Sequence, residues 1–214
     1  FFIAVMVLIF TIILLIEYHD FKRSLVRFIP NKYLEVGLRM IYNIEQQISK
    51  YLRGQILAAS SVAVLSVIGL FILNQLGANI TLIVFIGIIA GLANLIPMVG
   101  PFIGMIPAIL IALMNNIGND AALTHQLFGA VPSPFYILDI VLMFIIVQQI
   151  DNNFITPVLV GESVGLHPMA VMIVLLIGGT LIGPLGMLFA IPAAGVLKVV
   201  ISEIVFVTKN SHLL

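Results

Sequence analysis

Side chains able to do acid–base or metal chemistry are scarce in this chain of 214 residues. Only 8% of the residues are charged, and the absence of Cys rules out thiol chemistry. No His-Glu-x-x-His metal motif is present, and Asp139 and Asp151 stand near opposite ends of one apolar run. Membrane-embedded proteases need a Ser-His pair, two Asp residues or a His-Glu metal motif close together within the membrane. The sequence therefore argues against an enzyme, and no cofactor or metal is expected.

Three ionisable side chains are candidates for coupling a proton or a cation to another process: Asp139, Asp151 and His167. Asp139 comes early in the apolar run 135–150, Asp151 follows its other end, and His167 lies in the next loop. A charge at the centre of a membrane-spanning helix costs at least about 2.5 kcal/mol. None of the three is expected there, and for each of them a structural role is favoured over ion coupling. The pattern favours a neutral, polar solute.

Amides and a carboxylate crowd together where the apolar run 135–150 ends. They are either an ordinary polar helix terminus, in which Asn and Asp satisfy loose backbone groups, or a vestibule that binds a solute or cation. The two glutamines precede the next proline by more than two helical turns, which favours the vestibule. The candidate site residues in this group are Gln148, Gln149, Asp151, Asn153, Thr156 and Pro157.

Two clusters of Gly and Pro interrupt the apolar sequence, one over 94–107 and one over 178–192. Each reads Gly-Pro, then Gly-Met, then a further proline. Proline removes a backbone donor, and glycine adopts dihedral angles that a helix does not use. A single interruption is better explained by close packing of helices, but paired interruptions in two halves of a chain point to a transporter binding site. The candidate binding or gating residues are Asn94, Pro97, Gly100, Pro101 and Gly104 in the first cluster, and Gly183, Pro184 and Gly186 in the second.

Long apolar runs form the elements that must position these residues. The chain is 62% hydrophobic, and no Asp, Glu, Lys or Arg occurs between Gly54 and Asn119. A helix crosses the hydrocarbon layer with about 20 apolar residues, and lipid requires its backbone polar groups to be satisfied internally. We therefore predict an all-α, polytopic membrane protein with two Gly/Pro-broken helical hairpins and one cytoplasmic amphipathic helix. The apolar runs are 1–16, 56–76, 80–97, 101–114, 135–150, 169–182 and 185–207.

The distribution of basic residues predicts the orientation in the membrane. Seven of the nine Lys and Arg residues lie between Lys22 and Arg53, and the other two are close to the C-terminus. Because basic loops stay in the cytoplasm, the connection 115–134 is expected outside. The formal net charge of zero gives no reason to expect nucleic acid as a partner. The predicted division is a truncated transmembrane helix 1–16, a cytoplasmic amphipathic segment 17–55, a transmembrane transport core 56–207 and a cytoplasmic tail 208–214.

Residues 31–53 differ in kind from the apolar runs. Leucine and isoleucine recur at helical spacing from Leu34 to Leu52, and charged or amide residues fill the other face. Such a helix lies on the inner leaflet or packs on a neighbouring subunit, either as a plain connector or with a mechanical role. Gly54 is expected to end this helix before the next span begins.

Several short motifs occur in the order found in one family of bacterial membrane proteins. The chain resembles the AI-2E family of transporters over residues 10–200, with a first charged motif at Tyr18, Asp20 and Lys22. Met98 and Asp151-Asn152 depart from the family pattern, which leaves the solute open. The other motifs that carry the resemblance are Arg53-Gly54-Gln55, Asn94 to Pro101, Gln148-Gln149 with Asn153 and Pro157, Gly165 to Pro168, and Gly183 to Pro192.

The resemblance implies a multi-pass transporter of the bacterial inner membrane with the lipid bilayer as its surroundings. It implies export of a small polar solute such as the quorum-sensing signal autoinducer-2, or alternatively sodium (lithium)/proton antiport. It further implies a homo-oligomer, with a pentamer as the expected stoichiometry, and an elevator-like movement of the substrate-carrying part. Because the chain begins inside an apolar run without Met, we also expect further helices upstream.

Overall fold

The structure, a computed structural model, describes residues 2–27, 29–96, 99–161 and 165–209. Almost all of these residues are helical. The stretch between residues 123 and 134 also contains a short antiparallel hairpin, β1 (Gln126–Leu127) and β2 (Val131–Pro132). The helices are α1 (Phe2–Arg27), α2 (Leu34–Leu73), α3 (Ile83–Ala93), α4 (Gly100–Asn115), α5 (Asp120–Leu123), α6 (Ile137–Ile150), α7 (Pro168–Ile182) and α8 (Pro184–Lys209). Short 3-10 turns occupy Asn31–Tyr33 and Pro134–Tyr136, and π-helical turns occupy Asn74–Ala78, Asp151–Ile155 and Pro157–Gly161.

Three of the described helical stretches are long and apolar enough to cross a membrane: Leu34–Ala78, Pro134–Val160 and Pro184–Lys209. The helices α3, α4 and α7 are apolar but shorter. Most of their large apolar side chains face outward, as expected when lipid rather than water surrounds a protein. The predicted all-α membrane fold is therefore confirmed at this level.

The expectation that Gly54 ends the amphipathic helix is wrong. α2 runs without interruption from Leu34 to Leu73. A single glycine costs a helix only about 1 kcal/mol, which tertiary packing readily offsets. The residue is buried, and a Cβ built on it would overlap the carbonyl oxygen of Leu159. Glycine is therefore present for close packing of α2 against the π-helical turn Pro157–Gly161.

The expected helix end after residue 150 is also absent. α6 continues directly into the π-helical turn Asp151–Ile155, and Thr156 joins this to the next π-helical turn. A π-helical turn widens the helix by one residue and is often found at functional sites. The amides and the carboxylate predicted at a helix terminus therefore lie inside a continuous helical stretch.

The chain forms two compact units, residues 1–46 with 196–214, and residues 47–195. In the first unit, Glu45 accepts hydrogen bonds from Tyr18 at 2.6 Å and from Lys22 at 2.8 Å. The bond to Glu45 raises the pKa of the Lys22 ammonium, which keeps its charge. On α8, Glu203 pairs with Arg39 at 3.1 Å. The polar face of the amphipathic stretch thus binds α1 and α8 within this unit.

The second unit has two apolar cores. The larger core joins the end of α2 to α3, α4, α5 and α6 and centres on Ile86, Ile140 and Phe144. The smaller core joins α2, the turn Pro157–Gly161 and α8 through Tyr51, Val160 and Ile191. The helical chain is interrupted between α3 and α4, where the structure describes residues 94–96 and 99. We call this interruption the first break.

Candidate functional site

The end of α3 is capped by a side chain from another helix. The last carbonyl groups of a helix have no partner within it, and in an apolar surrounding they need one. Gln55 of α2, only 4% exposed, donates its amide to the carbonyl oxygens of Asn94 at 2.7 Å and of Leu95 at 3.1 Å. The Gln55 amide therefore satisfies two backbone carbonyl groups at the first break and fixes their position.

A buried carboxylate faces the same break. Asp151 is 1% exposed and accepts hydrogen bonds from the side-chain amide of Asn94 at 3.4 Å and from the Thr156 hydroxyl at 3.2 Å. Among the described residues it forms no ion pair, and the chain has no Lys or Arg between Arg53 and Lys198. We call Gln55, Asn94, Asp151 and Thr156 the polar cluster. It contains a buried acidic side chain with which no basic side chain of the described residues pairs.

Two amide oxygens next to this carboxylate have no hydrogen-bond partner. They are Oδ1 of Asn94, 1% exposed, and Oε1 of Gln148, 7% exposed, and within the described residues neither accepts a bond. Leaving a buried acceptor without a donor costs about 1–3 kcal/mol. Each oxygen is therefore a buried acceptor whose loss of hydration is not offset by a donor from the described residues.

A cavity of about 120 Å³ lies between α4 and α6, beside the first break. It brings together Gln148 and Gln149 of α6 and Pro101 of α4, all three of which the sequence predicted as site residues. Its other walls are apolar. They are formed by Phe102, Met105, Phe144 and Ile145.

Two glycines of α4 that follow the first break, Gly100 and Gly104, allow the chain to pack closely at this site. A Cβ built on Gly100 would lie 2.6 Å from the carbonyl oxygen of Ala90 and 2.8 Å from Asn94 Oδ1. One on Gly104 would lie 2.6 Å from the Ala90 Cβ and 3.1 Å from the Phe144 ring. Any larger side chain at either position would push α4 away from α3 or α6. Pro97, also predicted here, lies outside the described residues.

The remaining predicted residues of the α6 group are Asn153 and Pro157. Asn153 donates to Gln149 Oε1 at 3.1 Å, and both side chains are exposed. Gln148 donates to Asn152 Oδ1 at 2.9 Å, which uses its amide hydrogen but not its oxygen. Pro157 begins the second π-helical turn. Asn153 therefore lies next to the polar cluster without joining it.

The second break, between α7 and α8, is a tight turn that is separate from the polar cluster. Gly183 adopts φ 71° and ψ −145°, which only glycine adopts readily, and Pro184 begins α8. Gly186 packs so closely on Gly178 that a Cβ on either would overlap the other's carbonyl oxygen. None of these residues belongs to the polar cluster or lines the cavity between α4 and α6.

The other two candidates for ion coupling have local partners. Asp139, near the start of α6, accepts a hydrogen bond from Ser133 at 2.7 Å and lies 3.4 Å from His125 Nε2. His167 precedes α7 and accepts a hydrogen bond from the Met169 backbone at 3.3 Å. These contacts fix a loop and cap a helix, and they do not bring either side chain to Asp151.

Prediction from the sequence missed Gln55 as a site residue. It was visible only as part of the Arg53-Gly54-Gln55 motif, at the start of an apolar run. A polar amide in that position is a usable signal, since buried amides in membrane helices need partners. The partner itself is 39 residues away and could not be read from the local sequence.

Comparison with known proteins identifies the family. The family model described as AI-2E family transporter matches residues 1–206. The chain is 29% identical to YueF of Bacillus subtilis (strain 168) over 89% of its length and 46% of that protein, and 32% identical to YrrI of the same organism over 83% and 44%. Its identity to YhhT of Escherichia coli (strain K12) is 29%, over 52% and 28%.

All three relatives are named as candidate transport proteins. The chain spans about half the length of the first two. No solved structure matches it. With a match to the family model over nearly its whole length and several apolar helices, this multi-pass membrane chain belongs to the AI-2E transporter family.

Proposed function

We propose that this chain forms the solute-handling core of a transporter that exports a small polar organic solute, such as autoinducer-2, from the bacterial cytoplasm across the inner membrane. The observation that carries the proposal is the first break, where the polar cluster and the cavity adjoin helix ends inside an apolar protein. Interrupted helices with buried polar groups are the usual form of a transporter binding site.

The proposed working cycle needs the first break to move relative to its surroundings. An elevator-like movement within a homo-oligomer would carry the cluster from one side of the membrane to the other, and the family resemblance supports both features. The second break, with its tight glycine packing, serves as the candidate gate on α7 and α8. Alternating access in this proposal requires α7 and α8 to remain closely packed while they slide against each other.

The test of transport is Gly100→Leu in the full-length protein reconstituted in liposomes. Its side chain would overlap Asn94 and the Ala90 carbonyl, so the first break should be pushed open. Overpacking costs typically about 1–3 kcal/mol, and we expect efflux of autoinducer-2 to fall by about tenfold or more. Ala121→Leu introduces the same side chain at an exposed position of α5, outside the first break, and should retain efflux.

Membrane insertion of both variants is measured by extraction from the membrane fraction and by size-exclusion chromatography. The expected result is normal insertion of both, with efflux lost only in the Gly100 variant. Unchanged efflux by a well-inserted Gly100→Leu protein would rule out the first break as the solute-handling site. Efflux absent from the parent protein as well would rule out autoinducer-2 as the solute.

A second candidate function, monovalent-cation/proton antiport, is favoured by one observation. Within the part of the chain that the structure describes, the buried Asp151 carboxyl has no basic partner, and the Asn94 oxygen beside it accepts no hydrogen bond. An ionisable side chain in that situation typically belongs to a proton or ion pathway. Sodium or lithium could replace a proton there with little movement of the surrounding amide and hydroxyl groups.

Substitution of Asp151 by Asn tests this function, because it removes the charge and keeps the shape. In vesicles with a pH-sensitive dye, we expect sodium- or lithium-dependent proton flux to fall to background in Asp151→Asn. Asp120→Asn, the same change at an exposed carboxylate, should leave the flux unchanged. If the parent protein itself shows no cation-dependent proton flux, antiport is excluded and export remains.

A further inference from the structure

We infer that the outward-facing groove between α2 and α3 binds one acyl chain of an anionic phospholipid of the bilayer, with the lipid phosphate on Arg53 at the end of the groove. The site goes beyond the proposed transport function and does not depend on which solute is moved. Its occupant comes from the membrane that surrounds the apolar helices.

The groove has the length of a large part of one lipid chain. It is an open channel of about 280 Å³. Its lining residues extend from Ile56 to Ala63 on α2, and from Ile88 to Leu95 on α3 and the turn that follows it. At about 1.5 Å per residue each stretch is about 10 Å long. One leaflet contributes about half of a hydrocarbon layer that is about 30 Å thick, so the groove covers about two-thirds of that depth.

Small residues form the floor of the groove, and large apolar side chains form its rim. A Cβ built on the buried Gly91 would lie 2.6 Å from the Ala63 Cβ and 2.8 Å from the carbonyl oxygen of Ala59. The two helices are therefore in close contact along the floor. Ile56 and Leu92, at the rim, are 58% and 63% exposed. The groove is thus open to the lipid side, where a hydrocarbon chain can enter it.

The chemistry of the lining suits a hydrocarbon chain and not a polar molecule. Ser60 is the one polar side chain among the described residues that line the groove. Its hydroxyl already donates a hydrogen bond to the carbonyl oxygen of Ile56 at 2.8 Å. A polar molecule would lose its hydration in the groove without gaining partners, whereas an acyl chain has no polar group to satisfy.

A basic side chain lies just beyond one end of the groove. Arg53 is exposed and precedes Ile56 by three residues on the uninterrupted α2, which is about 4.5 Å along the helix axis. At 3.6 residues per turn, Arg53 lies within about 20° of Ser60 around the axis. Lys50, also exposed, is one turn further from the groove. A lipid whose chain occupies the groove would therefore have its headgroup beside these two cations.

The charge of the two cations determines which lipid fits. Within the described residues neither Lys50 nor Arg53 forms an ion pair. Arg53 is also the last charged residue before a stretch without charge that extends to Asn119, so it lies where the apolar span begins. Lipid phosphates lie at that level, and an Arg guanidinium can bind two phosphate oxygens at once. An apolar helix of a second copy in the same groove would leave both cations unpaired.

Binding of two lipids with identical chains tests the inference. The probes are dioleoyl phosphatidylglycerol, which is anionic, and dioleoyl phosphatidylcholine, which is zwitterionic. Binding to the full-length protein in detergent is measured by native mass spectrometry during titration with each lipid. One basic side chain near an anionic headgroup contributes about fivefold in affinity. With two such side chains, we expect phosphatidylglycerol to bind about ten- to twentyfold more tightly than phosphatidylcholine.

Variants of the basic side chain test the headgroup contact. Arg53→Gln should lower the affinity for phosphatidylglycerol about fivefold and leave that for phosphatidylcholine unchanged. Arg53→Lys keeps the charge and should retain most of the preference. Arg23→Gln is the matched control, because it removes an exposed arginine on α1 that pairs with Asp20. It should change neither affinity.

Variants of the lining test the groove itself. Ser60→Phe should weaken the binding of both lipids by filling the groove. Val64→Phe adds the same ring one turn further along α2, at an exposed position that does not line the groove, and should change neither affinity. Circular dichroism and size-exclusion chromatography of each variant establish that it is folded and report its oligomeric state.

Three outcomes would overturn the inference: equal affinity of the parent protein for both lipids, the same loss in Arg23→Gln as in Arg53→Gln, or unchanged lipid binding by Ser60→Phe. If Ser60→Phe alters the oligomeric state and leaves lipid binding unchanged, the groove is an interface between copies and the lipid site is excluded. None of these measurements requires transport, so the site and the proposed function can fail separately.

Discussion

Replacement of Gln55 by Leu is expected to abolish solute transport and to lower the thermal stability of the protein. The substitution removes the amide that donates to the carbonyl oxygens of Asn94 and Leu95 at the end of α3. Each carbonyl left without a donor in a buried place costs about 1–3 kcal/mol. The first break then loses its anchor to α2, and the Asn94 amide is no longer held towards Asp151.

Two quantities are measured. Efflux is measured from liposomes, and thermal unfolding in detergent is monitored by circular dichroism. Gln75→Leu provides the matched control, since it is the same change at an exposed glutamine near the far end of α2. It should unfold and transport like the parent protein. A Gln55→Leu protein with normal stability and normal efflux would show that this cap is dispensable, and with it the polar cluster as a site.

Gly186→Ala is expected to destabilise the packing of α7 against α8 at the second break, although alanine is the better helix former. Its Cβ would overlap the carbonyl oxygen of Gly178 on the facing helix, and backbone atoms cannot rotate aside. α7 and α8 must therefore separate, at a cost of about 1–3 kcal/mol. We expect a lower unfolding temperature, together with loss of transport if this hairpin is the gate.

Gly179→Ala is the control within the same hairpin. A Cβ there would meet the flexible end of the Met187 side chain, which can move at little cost. The gain in helix propensity, about 1 kcal/mol, should leave stability unchanged or slightly raised. Gly178→Ala should behave like Gly186→Ala because the overlap is mutual. Equal stability of all three variants would mean that α7 and α8 are not in close contact.

The candidate site was predicted from the sequence only in part. The Gly and Pro cluster after residue 94 and the amides around Gln148 were recognisable because such residues are unusual in apolar helices. Pro101, Gln148 and Gln149 do come together around one cavity. The paired second break contributes no residue to that cavity or to the polar cluster, so the similarity of the two sequences did not imply a shared site.

Gly54 illustrates why the local pattern is ambiguous. A glycine between a charged stretch and an apolar stretch is compatible with two structures. It can end a helix, or it can allow close contact between that helix and another segment. The structure places it inside α2, against the backbone at Leu159. Likewise, the amides after residue 150 predicted a helix terminus, and the chain instead continues through two π-helical turns. Neither outcome depends on residues nearby in the sequence.

The sequence by itself determined that this is an all-α membrane protein and that its few polar residues within apolar runs are the ones to examine. Hydropathy and the scarcity of charge act locally, so they can be read along the chain. Only the tertiary structure decided that Gln55, Asn94 and Asp151 meet. Their contacts join residues 39 and 57 positions apart. Such meetings depend on how the helices rotate and pack against one another, and small residues such as Gly54 and Gly100 set how closely they approach.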